Sequence, residues 1–275
     1  MKTTTLIRLS AAAGILLTAA CSSETTSPSS LIDQATLTTD VASTAGDGIA
    51  LDVATLSGDE TSAALASATL PADRLATSGL VTDSVSWTRT RTCFDAAGAG
   101  VACIPLDSVR TIVTHVSLYG ARSGQAENGA TFSGVLTRVA DDTLTRNFTG
   151  TTETSRTHDG VATGADTTTF TGPNVTRLHQ SSGTDSIEAV TFDLPRSSNP
   201  WPVSGKIVRN VSVYVQVTSA TRTQTTTIQK RIEVDFPADA QGNVTLHIDN
   251  QTCTLNLVTH AVSNCQGLGP FELLQ

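Results

Sequence analysis

Cysteine spacing is the first feature of this chain that could do chemistry. Cys93 and Cys103 flank Phe-Asp-Ala-Ala-Gly-Ala-Gly-Val-Ala, and Cys253 and Cys265 flank a strand-like run and its return. Four such thiols in an exported chain are expected to form disulfides, and local pairing, Cys93 with Cys103 and Cys253 with Cys265, would pin two hairpins. A zinc site needs close ligand pairs such as Cys-x-x-Cys, and none is present. The five histidines, His115, His158, His179, His247 and His260, are scattered, and no two stand at the spacing of a helical metal pair. Asp47, Asp141 and Asp142 fit caps and turns, and no loop carries the dense alternating carboxylates of a calcium site. No Gly-x-Ser-x-Gly, His-Glu-x-x-His, phosphate loop or Gly-x-Gly-x-x-Gly occurs. Neither a metal, a cofactor nor an enzymatic activity is therefore expected.

The remaining chemistry lies in Trp87-Thr88-Arg89-Thr90-Arg91. Strand alternation puts Trp87, Arg89 and Arg91 on one face, where an aromatic ring beside two guanidinium groups can hold a sugar or an anion. The plainer alternative is a Trp at a sheet boundary with both arginines paired to carboxylates across the strand. Trp201, between Pro200 and Pro202, reads as a loop anchor packing onto the sheet.

These residues must be positioned by strands. The chain holds 47 Thr and 27 Ser in 275 residues, with 39% hydrophobic and 15% charged side chains. Thr is β-branched and suits a half-wet pleated surface, so the composition argues for an all-β fold. Beyond Asp83 the apolar period is two. Ile207, Val211, Val213, Val215 and Val217 fall on one face of 205–218, and Ile228, Ile232, Val234 and Phe236 on one face of 225–236. Val244, Leu246 and Ile248 meet Cys253, Leu255 and Leu257 across a turn at Asp249-Asn250. Similar runs occupy about 85–94, 110–119, 130–140, 143–156, 161–171, 174–180 and 186–194. Turns are expected at Ala97-Gly98, Asp141-Asp142, Asp159-Gly160 and Ser182-Gly183. The 143–156 run has only Leu144 and Phe148 on one face and should project with both faces wet. Short turns between about ten strands predict one large twisted, curled antiparallel meander sheet.

One helix interrupts this pattern. Val41, Ala45, Ile49, Val53 and Leu56 recur at helical spacing behind an Asp40 cap, against the disfavour of Gly46 and Gly48, and predict a helix over 40–56 on the concave face. Residues 57–83 read as a connector, so the helix and connector span 39–83 and the β domain 84–275.

The N-terminus supplies an address. Residues 1–20 have a basic start and an apolar stretch too short to cross a bilayer, ending at Thr18-Ala19-Ala20-Cys21. That tetrad resembles the lipobox of bacterial lipoproteins. The resemblance implies a signal peptide cut before Cys21, a Cys21 carrying acyl chains such as palmitate, and a polar tether over 21–38. Ser22 is similar to the residue that follows the cysteine in outer-membrane lipoproteins. Cleavage removes Lys2 and Arg8, leaving 15 basic against 25 acidic residues, so nucleic acid is not an expected partner and membrane attachment would rest on the acyl chains. The five Asn-x-Ser/Thr triplets, at Asn147, Asn174, Asn210, Asn243 and Asn250, are attributable to the abundance of Thr.

From Trp87 to Leu257 the chain also resembles an uncharacterised group of Thr-rich, all-β exported lipoproteins of environmental bacteria. The resemblance rests on Arg89-Thr90-Arg91-Thr92, Phe94-Asp95-Ala96-Ala97-Gly98, Gly150-Thr151-Thr152-Glu153-Thr154, Trp201-Pro202-Val203-Ser204-Gly205 and Thr252-Cys253-Thr254-Leu255. It implies an envelope location and carries no activity with it. The expectation is a lipid-anchored envelope protein acting as a binding or structural module for a glycan, a peptide or another envelope protein. The alternatives are a carrier of lipid or another apolar ligand in a curled-sheet cavity, and a hydrolase whose site is assembled from distant strands.

Overall fold

The Thr-rich alternation condenses into one antiparallel sheet of eleven strands. The computed structural model describes residues 31–32, 34–57, 81–125 and 129–266. Cys21, the signal, the tether up to Ser30 and connector residues 58–80 lie outside them. The strands are β1 (Val81–Phe94), β2 (Gly100–Val101), β3 (Thr111–Gln125), β4 (Thr131–Thr149), β5 (Thr152–Thr171), β6 (Val175–Asp193), β7 (Ser204–Ser219), β8 (Thr223–Asp235), β9 (Asn243–Ile248), β10 (Gln251–Asn256) and β11 (Val262–Gln266). Their order is β11-β10-β9-β8-β7-β6-β5-β4-β3-β1-β2, a meander broken only where β1 inserts between β3 and the short β2. Antiparallel neighbours need only a tight turn between them, which is why a chain with one early helix builds this sheet.

The expected faces are observed in the C-terminal strands. Ile207, Val211, Val213, Val215 and Val217 of β7 are buried with Ile228, Ile232 and Val234 of β8, Val244, Leu246 and Ile248 of β9, and Cys253 and Leu255 of β10. Their cover is α1 (Gln34–Ser57). Leu37, Val41, Ala45, Ile49, Val53 and Leu56 join the same cluster. On its other flank Leu51 packs with Leu118 against Val85 and Leu136 of β1 and β4. The sheet therefore curls around the helix, touching it from both sides.

Burying an aliphatic side chain is worth about 1.5–3 kcal/mol, whereas an interior glycine costs a helix about 1 kcal/mol. Six buried apolar contacts outweigh Gly46 and Gly48. Gly46 is also used: a Cβ there would stand 2.9 Å from the His260 carbonyl oxygen and 3.2 Å from Leu255 Cδ1. The helix starts earlier than Asp40, which serves as an ion-pair partner of Arg177 on β6 in place of the expected cap.

The middle of the sheet departs from expectation. Asp141-Asp142, Asp159-Gly160 and Ser182-Gly183 are not turns; each lies within a continuous strand, so five expected runs merge into β4, β5 and β6. Their glycines permit close approach. A Cβ on Gly160 would meet the Asp141 carbonyl oxygen at 2.4 Å, at a bulge between His158 and Gly160. A Cβ on Gly183 would meet Arg209 Nη2 at 3.1 Å. The turn joining β4 to β5 is at Gly150, with φ of 63°, so the 143–156 run is the two arms of a hairpin. One side of that hairpin is not wet. Leu144 is buried, and the Arg110 and Arg146 guanidinium groups stand 4.1 and 5.1 Å from the Phe148 ring centre. Turns at Gly98 and at Asp249, with φ of 51°, are where the sequence puts them.

Candidate functional site

Both hairpin staples form as their spacing suggests. Cys93 bonds Cys103 and Cys253 bonds Cys265. Cys93 stands opposite Val101 in the β1–β2 ladder, which fixes the end of the strand that carries the Trp-Arg-Arg stripe.

On β1, alternation puts Trp87, Arg89 and Arg91 on one face, and the ladder identifies which. Trp87 faces Leu118 and through it Arg138, Arg89 faces Val116 and Ala140, and Arg91 faces Thr114 and Asp142. Leu118 packs on Leu51 of α1, so the stripe lies on the inner, helix-bearing face of the sheet. Trp87 and Arg91 are exposed, and Arg89 is half-buried. Trp87 remains 37% exposed, enough to leave much of the indole open to a ligand.

Further along the same face is a charged cluster that the sequence reading did not assemble. Asp52 of α1, Arg138 of β4, Asp185 of β6 and Arg209 of β7 are all buried. Arg138 Nη2 donates to Asp52 Oδ1 and, at 2.7 Å, to Asp185 Oδ2. Arg209 Nη1 donates to both Asp185 oxygens, at 3.1 and 2.9 Å. Glycines clear the space: a Cβ on Gly164 would stand 3.4 Å from Arg138 Nη1, and one on Gly48 would stand 2.4 Å from Arg209 Nη1.

Burial pushes the Asp52 carboxyl up to about 7, against the pull of Arg138 and with the help of Asp185. For Arg138, burial works against the charge, but Asp52 and Asp185 hold the guanidinium above its ordinary value. A readable signal existed. Position 209 falls on the apolar face of β7, between Ile207 and Val211, and Asp52 stands three residues after Ile49 in the apolar stripe of α1. A charge in an apolar row implies a partner opposite.

Each scattered histidine stands beside a carboxylate, four of them across neighbouring strands and His260 against α1. His115 Nδ1 lies 2.8 Å from Asp141 Oδ1 and His158 Nδ1 2.9 Å from Asp142 Oδ2. His179, His247 and His260 stand 3.7, 3.6 and 3.4 Å from Asp166, Asp235 and Asp47. His158 is buried edge-on against Phe192. Among the described residues no group of three His, Cys, Asp or Glu side chains converges on one point. Ser181 Oγ donates to Asp166 Oδ1, so the order there is hydroxyl, carboxylate, imidazole. Activating a serine needs the imidazole next to the hydroxyl; here the carboxylate is the serine's partner, a holding contact.

Trp201 packs against the main core as an anchor, and Gly242 lies beneath its ring, where a Cβ would be 2.8 Å from Cζ2.

Comparison with protein-family models, with curated proteins and with solved structures finds no match for this chain.

Proposed function

We propose that the chain is a lipid-anchored envelope protein, held at Cys21 through acyl chains and not through charge, whose sheet is a binding module for an acidic glycan or a similarly anionic envelope polymer. The observation that carries this reading is the inner-face stripe of Trp87, Arg89 and Arg91, with indole and guanidinium groups at one edge of a disulfide-stapled strand. An indole stacks on a sugar ring, and a guanidinium takes a carboxylate in two parallel hydrogen bonds. A rigid strand holds both at fixed spacing, which reduces the ordering entropy of binding.

The test is capture of an acidic oligosaccharide such as oligogalacturonate, with neutral dextran as the control, by full-length protein purified from membranes. Replacing Trp87, Arg89 and Arg91 by Ala should leave folding unchanged and lower retention at least tenfold. Equal retention of acidic and neutral sugars, or a triple variant that unfolds, would refute the reading. The anchor is tested separately: a Cys21→Ser chain should leave the membrane fraction.

The carrier reading makes a different demand. With α1 in place, the void between Leu51, Thr55, Val116, Leu118, Arg138 and Ala140 is about 10 Å³, the space of a single water molecule. An apolar ligand larger than a water molecule does not fit this void while α1 is docked over it.

A further inference from the structure

We propose that α1 is a proton-controlled latch on the inner face of the sheet: it docks firmly while Asp52 carries a proton and loosens when that proton is lost, uncovering the apolar rows of β7 to β10. The geometry supports this in three ways.

Asp52 is the helix's charged contact at the centre of a sealed interface, between Leu51 and Val53, which are also buried. Its Oδ1 accepts from Arg138, while its Oδ2 is buried without a hydrogen-bond donor. A buried carboxylate oxygen with no donor disfavours the anion and is the natural place for a proton. The cluster also does not depend on Asp52. Asp185 binds both arginines from the sheet side, so the helix can leave without stripping both guanidinium groups of their carboxylate. Finally, Gly46 and Gly48 leave α1 little intrinsic helicity, so an undocked helix would lose order as well as contact.

The charged groups around Asp52 are identified. Arg138, Asp185 and Arg209 face it from β4, β6 and β7. On α1 itself Asp47 pairs with His260, from the turn before β11, and Asp40 with Arg177 of β6. Asp166 and His179 lie further along β5 and β6, Lys230 of β8 is paired with Asp249, and Arg89 and Arg91 share the inner face from β1. The Asp52 carboxyl, at about 7 when docked against an ordinary 3.8, makes the docked state the better proton binder. Docking is then favoured in acid and weakens as pH rises from about 4 to about 7, up to tenfold per unit for one proton, and levels off above.

Hydrogen exchange on the full-length protein tests this, comparing amides 45–53 of α1 with amides 211–217 of β7 after correction for intrinsic rates. Between pH 5.5 and 7, α1 protection should fall by an order of magnitude or more while β7 protection holds. In Asp52→Asn the α1 slope should vanish, and in Asp47→Asn, which removes the His260 pair, it should persist. An unchanged slope in Asp52→Asn overturns the proposal, as does β7 falling in step with α1, which would mean global unfolding. Should Asp52→Asn fail to fold, isotope-edited infrared spectroscopy of the wild-type Asp carboxyls decides: a protonated buried carboxyl lost near neutral pH is expected, and full ionisation already at pH 5 overturns it.

Discussion

Gly48 of α1 lies directly on the guanidinium group of Arg209, so that a Cβ on the glycine would stand 2.4 Å from Nη1 and 2.6 Å from Cζ. Arg209 is held from behind by Asp185 and cannot swing away without breaking that pair. A Gly48→Ala change would gain about 1 kcal/mol of helix propensity and lose about 1–3 kcal/mol to overpacking. The clash should win, with a net destabilisation of up to about 2 kcal/mol in urea titration. An Ala variant as stable as wild type, or more so, would show that the helix does not sit against Arg209.

Asp185 neutralises two buried guanidinium groups at once. Asp185→Ala should therefore cost about 3–5 kcal/mol, the range for removing one partner of a buried ion pair. Asp141→Ala, which breaks the exposed His115 pair on the outer face, should cost no more than about 1 kcal/mol. Comparable losses for the two would mean that burial is not what separates them.

Glu153 and Asp52 should shape opposite limbs of the stability curve. Burial raises the Glu153 carboxyl, but hydrogen bonds from Arg146 and Arg156 outweigh it and bring it from 4.5 to about 2. The folded state then binds protons less readily than the unfolded one, so this stabilisation is complete above pH 4.5 and is lost as pH falls towards 2. Asp52 is raised, so its effect runs the other way, with stability declining from about pH 4 to 7. Denaturant midpoints across pH 2–9 should show both limbs, the acid one weakened in Glu153→Gln.

How much of this was legible in the sequence differs along the chain. The two faces of β7 and β8, the pairing of Val244, Leu246 and Ile248 with the next strand, and both disulfides follow from alternation and short loops, which are local properties. Gly160 and Gly183 could not be placed that way. The missing Cβ that suits a turn also suits close contact with a neighbouring strand, and which applies depends on Asp141 and Arg209, distant in sequence. The Trp87, Arg89 and Arg91 face was readable because one strand carries all three. The Asp52 cluster draws on α1, β4, β6 and β7, so only the lone charges at 52 and 209 hinted at it.

The disulfides differ in where they act. Each closes a short loop, ten residues for Cys93–Cys103 and twelve for Cys253–Cys265, and the chain-entropy argument gives about 2–3 kcal/mol for either. Cys253 also belongs to the main core under α1. Cys93 is buried as well, so replacing either pair by Ser should lower the melting temperature, adding a buried hydroxyl to the lost cross-link in each case. An unchanged melting temperature for either double variant, by calorimetry, would contradict this.

The sequential strand order has a consequence for how the chain is assembled. Strands β4 to β11 can each pair with the strand just completed, so the sheet can grow in the order of synthesis or export. α1 cannot follow that order. It is the first described element to emerge, yet Ile49 and Val53 find their companions in Ile232, Leu246 and Leu255, near the other end of the chain. Long-range contacts of this kind close late. Until β8 to β10 arrive, the helix's apolar stripe has no home, which makes the interval before completion the time when a chaperone would have most to hold.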